Sequence, residues 1–138
     1  KAQLPYKALS QFNGDTVAYL EYNFVTHKSA FIGNTVEMVL EWLEIPIYQV
    51  NQFGPNVQAD NKSYMYGIGI DYVPRSETLK KWKYGGQILI FRIYFEPPYE
   101  DLWAFWHYAP PFTSERERAL YVKDKIVKDI KVRIRDTH

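Results

Sequence analysis

Side chains able to do acid–base chemistry concentrate in one stretch of the chain, between Glu96 and Phe112. Three carboxylates, Glu96, Glu100 and Asp101, precede the one imidazole of this stretch, His107. Apolar walls raise the pKa of a carboxyl group, so two carboxylates in such surroundings can separate into an acid and a base. The spacing is not diagnostic of a glycosidase, and capping of a helix also explains acidic residues here. A small hydrolase acting on glycans is therefore kept as an alternative.

The same stretch is crowded with aromatic rings between two proline pairs. Exposed rings would form a stacking platform for a sugar, a peptide or another protein, because they combine a large apolar face with a polar edge. The leading hypothesis is thus non-catalytic binding of a protein or glycan ligand through an aromatic surface. The predicted binding residues in this stretch are Tyr99, Trp103, Trp106, His107 and Tyr108. Trp82, which lies outside the stretch, is predicted to belong to the same surface.

Two other interpretations of these rings stay open. Pro98 suits a helix start, and Leu102, Phe105 and Trp106 follow at helical spacing, which is typical of a turn packed against a sheet. Alternatively, exposed rings would join two copies of the chain, as in a structural or assembly subunit. Solvent exposure of Trp103 and Trp106 separates these interpretations.

Other reaction centres have no signature in the sequence. The chain has no cysteine, and its three histidines form no H-x-x-x-H or H-E-x-x-H pattern. No Gly-x-Ser-x-Gly elbow occurs, and Gly67-Ile68-Gly69 falls inside a predicted strand rather than between a strand and a helix. We therefore expect no catalytic residue, no metal site and no bound cofactor.

Composition limits the class of protein and its partners. The 138 residues suffice for a single α+β domain over residues 1–138, in which residues 1–14 form a loosely structured lead-in. A net charge of +1 gives no field that attracts nucleic acid, and no apolar run reaches the roughly 20 residues of a membrane-spanning helix. The start at Lys1 is interpreted either as a trimmed start or as the mature form left after removal of a leader. Together with the 12 tyrosines, it favours an exported protein that is periplasmic, at the cell surface or secreted, with a cytoplasmic location as the alternative.

Patterning in the first half predicts a strand followed by a helix. Residues 16–25 alternate in polarity and are predicted as a half-buried strand. Asn34 and Glu37 form a capping-box pattern that starts a helix ending near Glu44. The buried stripe of this helix is predicted to contain Val36, Val39, Leu40 and Leu43.

The middle of the chain predicts further strands. Residues 47–53 form one, and residues 63–73 form another with a bulky face and a bare face at Gly67 and Gly69. We interpret the bare face as a bulge or close packing rather than a ligand groove. Residues 75–83 are predicted as a hairpin arm, with a short helix as the alternative, and lysine stems there would cover Trp82.

The last part predicts a central strand, a helix and an outer strand. Residues 87–96 are apolar on both faces at their start, which is typical of a central strand. Ser114 opens a helix that carries Ala119, Val122 and Ile126 to the core. Over residues 130–135, apolar residues alternate with basic residues, which predicts a strand with a basic outer face. The predicted fold is α+β, with a mainly antiparallel sheet of about five strands and two main helices packed on one face.

Overall fold

The computed structural model describes residues 5–53, 64–97, 100–101 and 114–136. The helices are α1 (Thr16–Leu20), which continues as a π-helix (Glu21–Thr26), α2 (Val36–Trp42), α3 (Arg75–Tyr84) and α4 (Glu115–Leu120), with 3₁₀ turns at Leu9–Phe12 and Lys28–Ala30. The strands are β1 (Gln49–Phe53), β2 (Tyr64–Met65), β3 (Gly67–Asp71), β4 (Gln87–Phe95), β5 (Glu100–Asp101) and β6 (Val127–Asp136). The α+β prediction is confirmed.

Four of these strands form one antiparallel sheet in the order β1-β3-β4-β6, whereas β2 and β5 form a separate two-stranded ladder. The main sheet thus has one strand fewer than the five predicted. β4 lies between β3 and β6, as predicted for a central strand. Tyr94 pairs with Asp129 but Phe95 pairs with Val127, so β6 has one extra residue, Lys128, at this step. Such a β-bulge turns neighbouring side chains away from the regular alternation.

The predicted strand over residues 16–25 is wrong, because this segment is helical. The Asp15 carboxylate accepts a hydrogen bond from the Ala18 N–H at 3.0 Å and so starts α1. Side chains about one turn apart then enter the core, including Tyr19 and Asn23. Aromatic residues favour strands locally, but burial of a helical stripe outweighs that preference here.

Helix α2 begins one residue later than predicted. The Thr35 hydroxyl, rather than the Asn34 side chain, accepts the capping hydrogen bond from the Met38 N–H at 3.4 Å, while Asn34 donates to the Ala30 carbonyl. The helix ends at Trp42, two residues before the predicted end. Its predicted stripe is confirmed, since all four side chains are buried: Val36, Val39, Leu40 and Leu43.

The predicted strand over residues 63–73 is divided at Tyr66, which lies between β2 and β3. At Gly69 the missing side chain allows close packing, as interpreted from the sequence. A Cβ atom at Gly69 would lie 3.1 Å from the Ile90 Cγ2 atom on the neighbouring strand. The Ile90 side chain therefore occupies the space that a larger residue would need.

The hairpin arm predicted for residues 75–83 is wrong, because these residues form α3. Pro74 precedes the helix, and its carbonyl accepts hydrogen bonds from the N–H groups of Glu77 and Thr78 at 3.0 and 3.2 Å. The helix is exposed over most of its circumference. An exposed helix needs no apolar stripe, so its sequence lacks the periodic pattern that would have predicted a helix. The intrinsic helix preference of its lysine, leucine and glutamate residues was the only local signal. Gly85, at a φ of 91°, ends it.

The predictions for the last helix and strand are confirmed in position. The Ser114 hydroxyl accepts a hydrogen bond from the Glu117 N–H at 3.1 Å and starts α4. Ala119 and Val122 are buried as predicted, but α4 ends at Leu120 and Ile126 is exposed. β6 follows over the predicted alternating residues.

One face of the main sheet is the core face, and the other carries polar side chains. The core face includes the side chains of Phe91, Ile93 and Phe95 on β4, which are almost fully buried. The Phe24 ring of the π-helix lies 5.3 Å from the Phe91 ring, so this helical segment covers the core face. Ile90, Arg92 and Tyr94 alternate with these residues and define what we call the outer face.

Residues 5–14 of the predicted lead-in are held against the helices. The Asn23 side-chain amide is 2% exposed, donates to the Lys7 carbonyl and accepts from the Lys7 N–H, both at 2.9 Å. The Glu44 carboxylate accepts hydrogen bonds from the Tyr6 hydroxyl and from the Leu9 N–H. These contacts satisfy backbone groups that a loose segment would leave to water.

Helix α4 links the end of α2 to the edge of the sheet. The Arg116 guanidinium donates to the Leu40 and Leu43 carbonyls at 3.2 and 3.4 Å. The positive charge of Arg116 also interacts favourably with the negative, C-terminal end of the α2 dipole. The Glu115 carboxylate accepts from the Val50 N–H at 3.4 Å, so neighbouring residues of α4 contact both α2 and β1.

A candidate binding pocket at the bulge of the sheet

Most of the predicted binding residues lie outside the described part of the chain, namely Tyr99, Trp103, Trp106, His107 and Tyr108. The exception, Trp82, lies on α3 and is 45% exposed. Of the carboxylates considered for hydrolysis, Glu96 is exposed just after β4, and the backbone of Glu100 and Asp101 forms β5. The aromatic surface and the hydrolase alternative therefore both stay predictions at these positions.

A pocket of about 150 Å³ lies at the bulge between β4 and β6. Its described lining residues are Tyr66, Tyr94, Phe95, Lys128 and Asp129. Three strands bring these residues together, because Tyr66 directly precedes β3, which pairs with β4, and β4 pairs with β6. Drug-sized ligands are held in pockets of about 300–1,000 Å³, so this pocket would take one ring-sized group.

Backbone hydrogen bonds fix the end of β4 on both sides of the pocket. The Phe95 N–H donates to the Tyr66 carbonyl at 2.8 Å, and the Glu96 N–H donates to the Ile126 carbonyl at 2.8 Å. Phe95 itself is buried, with its side chain on the core face, whereas Tyr66 is 37% exposed. The described lining of the pocket is thus held in position by the sheet.

The charges around the pocket are mainly positive. The Lys28 ammonium lies 2.6 Å from the Asp129 Oδ1 atom and neutralises the one carboxylate of the lining. The Lys131 ammonium lies 5.4 Å from the centre of the Tyr94 ring, within the range of a cation–π interaction. Lys128 is exposed, and no acidic partner of it occurs within the described ranges.

The Asp129 carboxylate is kept ionised by its neighbours. Burial alone would raise the pKa of Asp129, but hydrogen bonds from the Lys28 ammonium and the Ile130 N–H outweigh that effect, and the pKa is lowered. An ionised carboxylate paired with a lysine is a poor proton donor at neutral pH. Asp129 is therefore poorly suited to act as a general acid in this pocket.

A second polar cluster, formed by Tyr6, Tyr19 and Glu44, has a structural role. The Tyr19 hydroxyl donates to the Trp42 carbonyl and accepts from the Glu44 N–H, both at 3.0 Å, and lies 2.6 Å from the Tyr6 hydroxyl. Burial raises the pKa of Tyr19, and burial together with the Glu44 carboxylate raises the pKa of Tyr6. Both phenols stay neutral and connect the end of α2 to the N-terminal segment.

Exposed aromatic and apolar side chains also occur on α3, away from the pocket. Leu79, Trp82 and Tyr84 are exposed, and the Lys83 ammonium lies 5.3 Å from the Tyr84 ring centre. This helix leads into the start of β4, whereas the pocket lies at the end of that strand. Residues 87 and 94 are roughly 23 Å apart at about 3.3 Å per strand residue. Trp82 and the pocket are therefore separate surfaces.

Sequence reasoning missed the residues of this pocket. Tyr66 was assigned to the bulky face of a single strand, and Lys128 precedes the residues predicted as the last strand. The alternation of Arg92 and Tyr94 after an apolar run was the available signal, since it marks where the outer face of β4 becomes polar. The bulge itself has no signature in a single sequence, because it depends on the pairing of two distant strands.

Across the described ranges, no group of three or more histidine, cysteine or acidic side chains is arranged to hold a metal ion. The helices in these ranges are all too short and too polar to span a bilayer. Comparison of the chain with protein-family models, with curated proteins and with solved structures finds no match in any of the three.

Proposed function

We propose that this protein is a non-catalytic binding protein that recognises a protein or glycan ligand through an aromatic surface. The observation that carries the proposal is the pocket at the bulge, where Tyr66 and Tyr94 meet exposed or half-exposed lysines. Tyrosine is favoured in binding sites because its ring gives a large contact area with little loss of conformational freedom. An exported location, proposed from composition, is compatible with such a ligand.

The charges of the pocket support binding over hydrolysis. Glycosidases use two carboxyl groups about 5–10 Å apart, one of which holds a proton at its working pH. The described lining of this pocket has one carboxylate, Asp129, and its pKa is lowered by the hydrogen bond from Lys28. An ionised carboxylate has no proton to donate. The described lining also has no second carboxylate to act beside it.

The test is the loss of ligand binding when both rings are removed. An array of neutral, carboxylated and sulfated oligosaccharides, together with phage-displayed peptides, provides the probes. We expect the variant Tyr66→Ala/Tyr94→Ala to lose at least tenfold in affinity for the best probe. The control is Tyr84→Ala, since Tyr84 is the most exposed aromatic side chain described, at 74%, and lies on α3. Equal losses in both variants, or none in either, contradict the proposal.

A further inference from the structure

The pocket at the bulge combines two aromatic rings with an excess of positive charge. Tyr66 and Tyr94 line it together with Lys128 and the one carboxylate of the described lining, Asp129. Two further lysines lie next to these residues: Lys28 pairs with Asp129, and Lys131 lies over the Tyr94 ring. The protein as a whole has a net charge of only +1, so this excess is a local property of the site.

The lysines divide into one that is neutralised and two that are available to a ligand. Lys28 forms the ion pair with Asp129 at 2.6 Å. Lys131 lies over the Tyr94 ring, and its charge also lowers the pKa of Asp129. Lys128 is placed at the pocket by the extra residue of the bulge and is exposed there. A ligand that reaches the Tyr94 ring thus comes within range of two ammonium groups.

Resting on the proposed binding function, we propose that the pocket holds one anionic sugar residue of a glycan. Its ring would pack against the phenol rings of Tyr66 and Tyr94, and its carboxylate or sulfate would lie beside Lys128 and Lys131. A sugar ring has an apolar C–H face that packs on an aromatic ring, and an acidic sugar adds a negative charge to that same small unit. The pocket volume of about 150 Å³ admits one such residue.

An acidic peptide fits the same charges less well. Aspartate and glutamate side chains supply the negative charge but have no ring face for the two tyrosines. Binding of an extended peptide commonly uses an exposed strand edge, whereas the pocket is lined by side chains between paired strands. The glycan proposal therefore accounts for the rings and the lysines with one ligand unit.

The experiment compares sugars that share their rings and linkages but differ in charge. One pair of probes is oligogalacturonate and its fully methyl-esterified form, which share rings and linkages; the other pair is dextran sulfate and dextran. We expect the protein to bind at least one charged member ten or more times more tightly than its neutral counterpart. The two arms distinguish carboxylate from sulfate as the source of the charge.

The lysine variants then localise the effect. Lys128→Gln/Lys131→Gln is expected to lose at least tenfold in affinity for the charged probe, because each charge-assisted contact contributes substantially to binding. Lys123→Gln is the matched control, since Lys123 is exposed in the turn after α4. Circular dichroism checks that the fold is retained. Chemical-shift changes of the unaltered protein, mapped to residues around the bulge, give a second measurement that does not depend on any variant.

The outcomes separate this inference from the function on which it rests. Equal affinity for charged and neutral sugars overturns the inference, but the proposed function stands if Tyr66→Ala/Tyr94→Ala still weakens binding. Binding of a selected peptide but of no sugar, again dependent on these tyrosines, has the same meaning. If neither sugar nor peptide binding depends on Tyr66 and Tyr94, both the inference and the proposed function fail.

Discussion

The two faces of β4 are made by alternate residues of one strand but have opposite properties. On the core face, Phe91 and Ile93 are fully buried, and the Phe91 ring packs against the Phe24 ring of the π-helix. On the outer face, Arg92 and Tyr94 are half-buried, and Tyr94 lies under a lysine and beside a pocket. Because the two sets alternate, the same backbone fixes both. The comparison predicts that substitutions one residue apart in this sheet alter separately the free energy of unfolding and the proposed ligand binding.

The largest expected difference between the faces is in the free energy of unfolding. Phe91→Ala should lower it by about 3–5 kcal/mol, because it removes a fully buried ring and leaves a cavity. Tyr94→Ala should lower it by roughly 1 kcal/mol, a typical value for a point variant. Urea unfolding monitored by circular dichroism measures both. Equal losses would mean that the two faces do not differ in their contribution to stability.

A smaller difference in the free energy of unfolding is expected between variants that remove one of two buried hydroxyl groups, those of Tyr19 and Tyr72. Tyr19→Phe should lower the free energy of unfolding by about 1–3 kcal/mol, because it leaves the Trp42 carbonyl and the Glu44 N–H without their partner. The Tyr72 hydroxyl is also buried, but it has no hydrogen-bond partner in the part of the chain that the structure describes.

Tyr72→Phe is therefore the matched control for Tyr19→Phe. Removing an unsatisfied hydroxyl group is expected to leave the free energy of unfolding unchanged or to raise it slightly. Thermal and urea unfolding of the two single variants measure the contrast. A loss at Tyr72 as large as that at Tyr19 would show that the Tyr72 hydroxyl has a bonding partner after all.

The smallest expected effect is a pH dependence from the outer face. The pKa of Asp129 is lowered in the folded protein, so its ionisation stabilises the fold above the unfolded pKa of about 3.9. This stabilisation is lost as the pH falls through the folded pKa. Asp129→Asn should cost less than about 1 kcal/mol at pH 7, because the pair with Lys28 is partly exposed.

The difference between Asp129→Asn and the unaltered protein should shrink as the pH falls below about 4. Urea unfolding between pH 2 and 7 follows it. Glu77→Gln is the control, since Glu77 forms a more exposed pair with Lys80 at 3.8 Å and should show no measurable difference. A difference for Asp129→Asn that stays constant over this range would contradict an electrostatic origin.

The elements that the sequence predicts well are those whose local pattern agrees with their environment. The apolar stripe of α2 and the apolar run that starts β4 each have a pattern typical of the observed structure. The Ser114 cap is local chemistry and needs no distant partner. In contrast, residues 16–25 are rich in strand-favouring residues, and only tertiary burial of Tyr19 and Phe24 makes them helical.

The candidate site was beyond sequence reasoning because its residues are distant along the chain. Lys28 and Asp129 are 101 residues apart, and Tyr66 meets Tyr94 only through the pairing of β3 with β4. Lys128 lies at the pocket because it is the extra residue of the β-bulge, where the register between β4 and β6 shifts by one residue. Such a register shift follows from three-dimensional pairing and not from the type of residue.

The Asn23 amide ties the first described segment to the core in a way that affects folding. If residues 5–14 detached, the Asn23 amide, which is 2% exposed in the folded protein, would lose two of its three hydrogen bonds. A buried unsatisfied amide costs about 1–3 kcal/mol, so detachment of the segment and loosening of the π-helix are energetically coupled. We therefore expect residues 5–14 to unfold together with the interior rather than to fray independently of it.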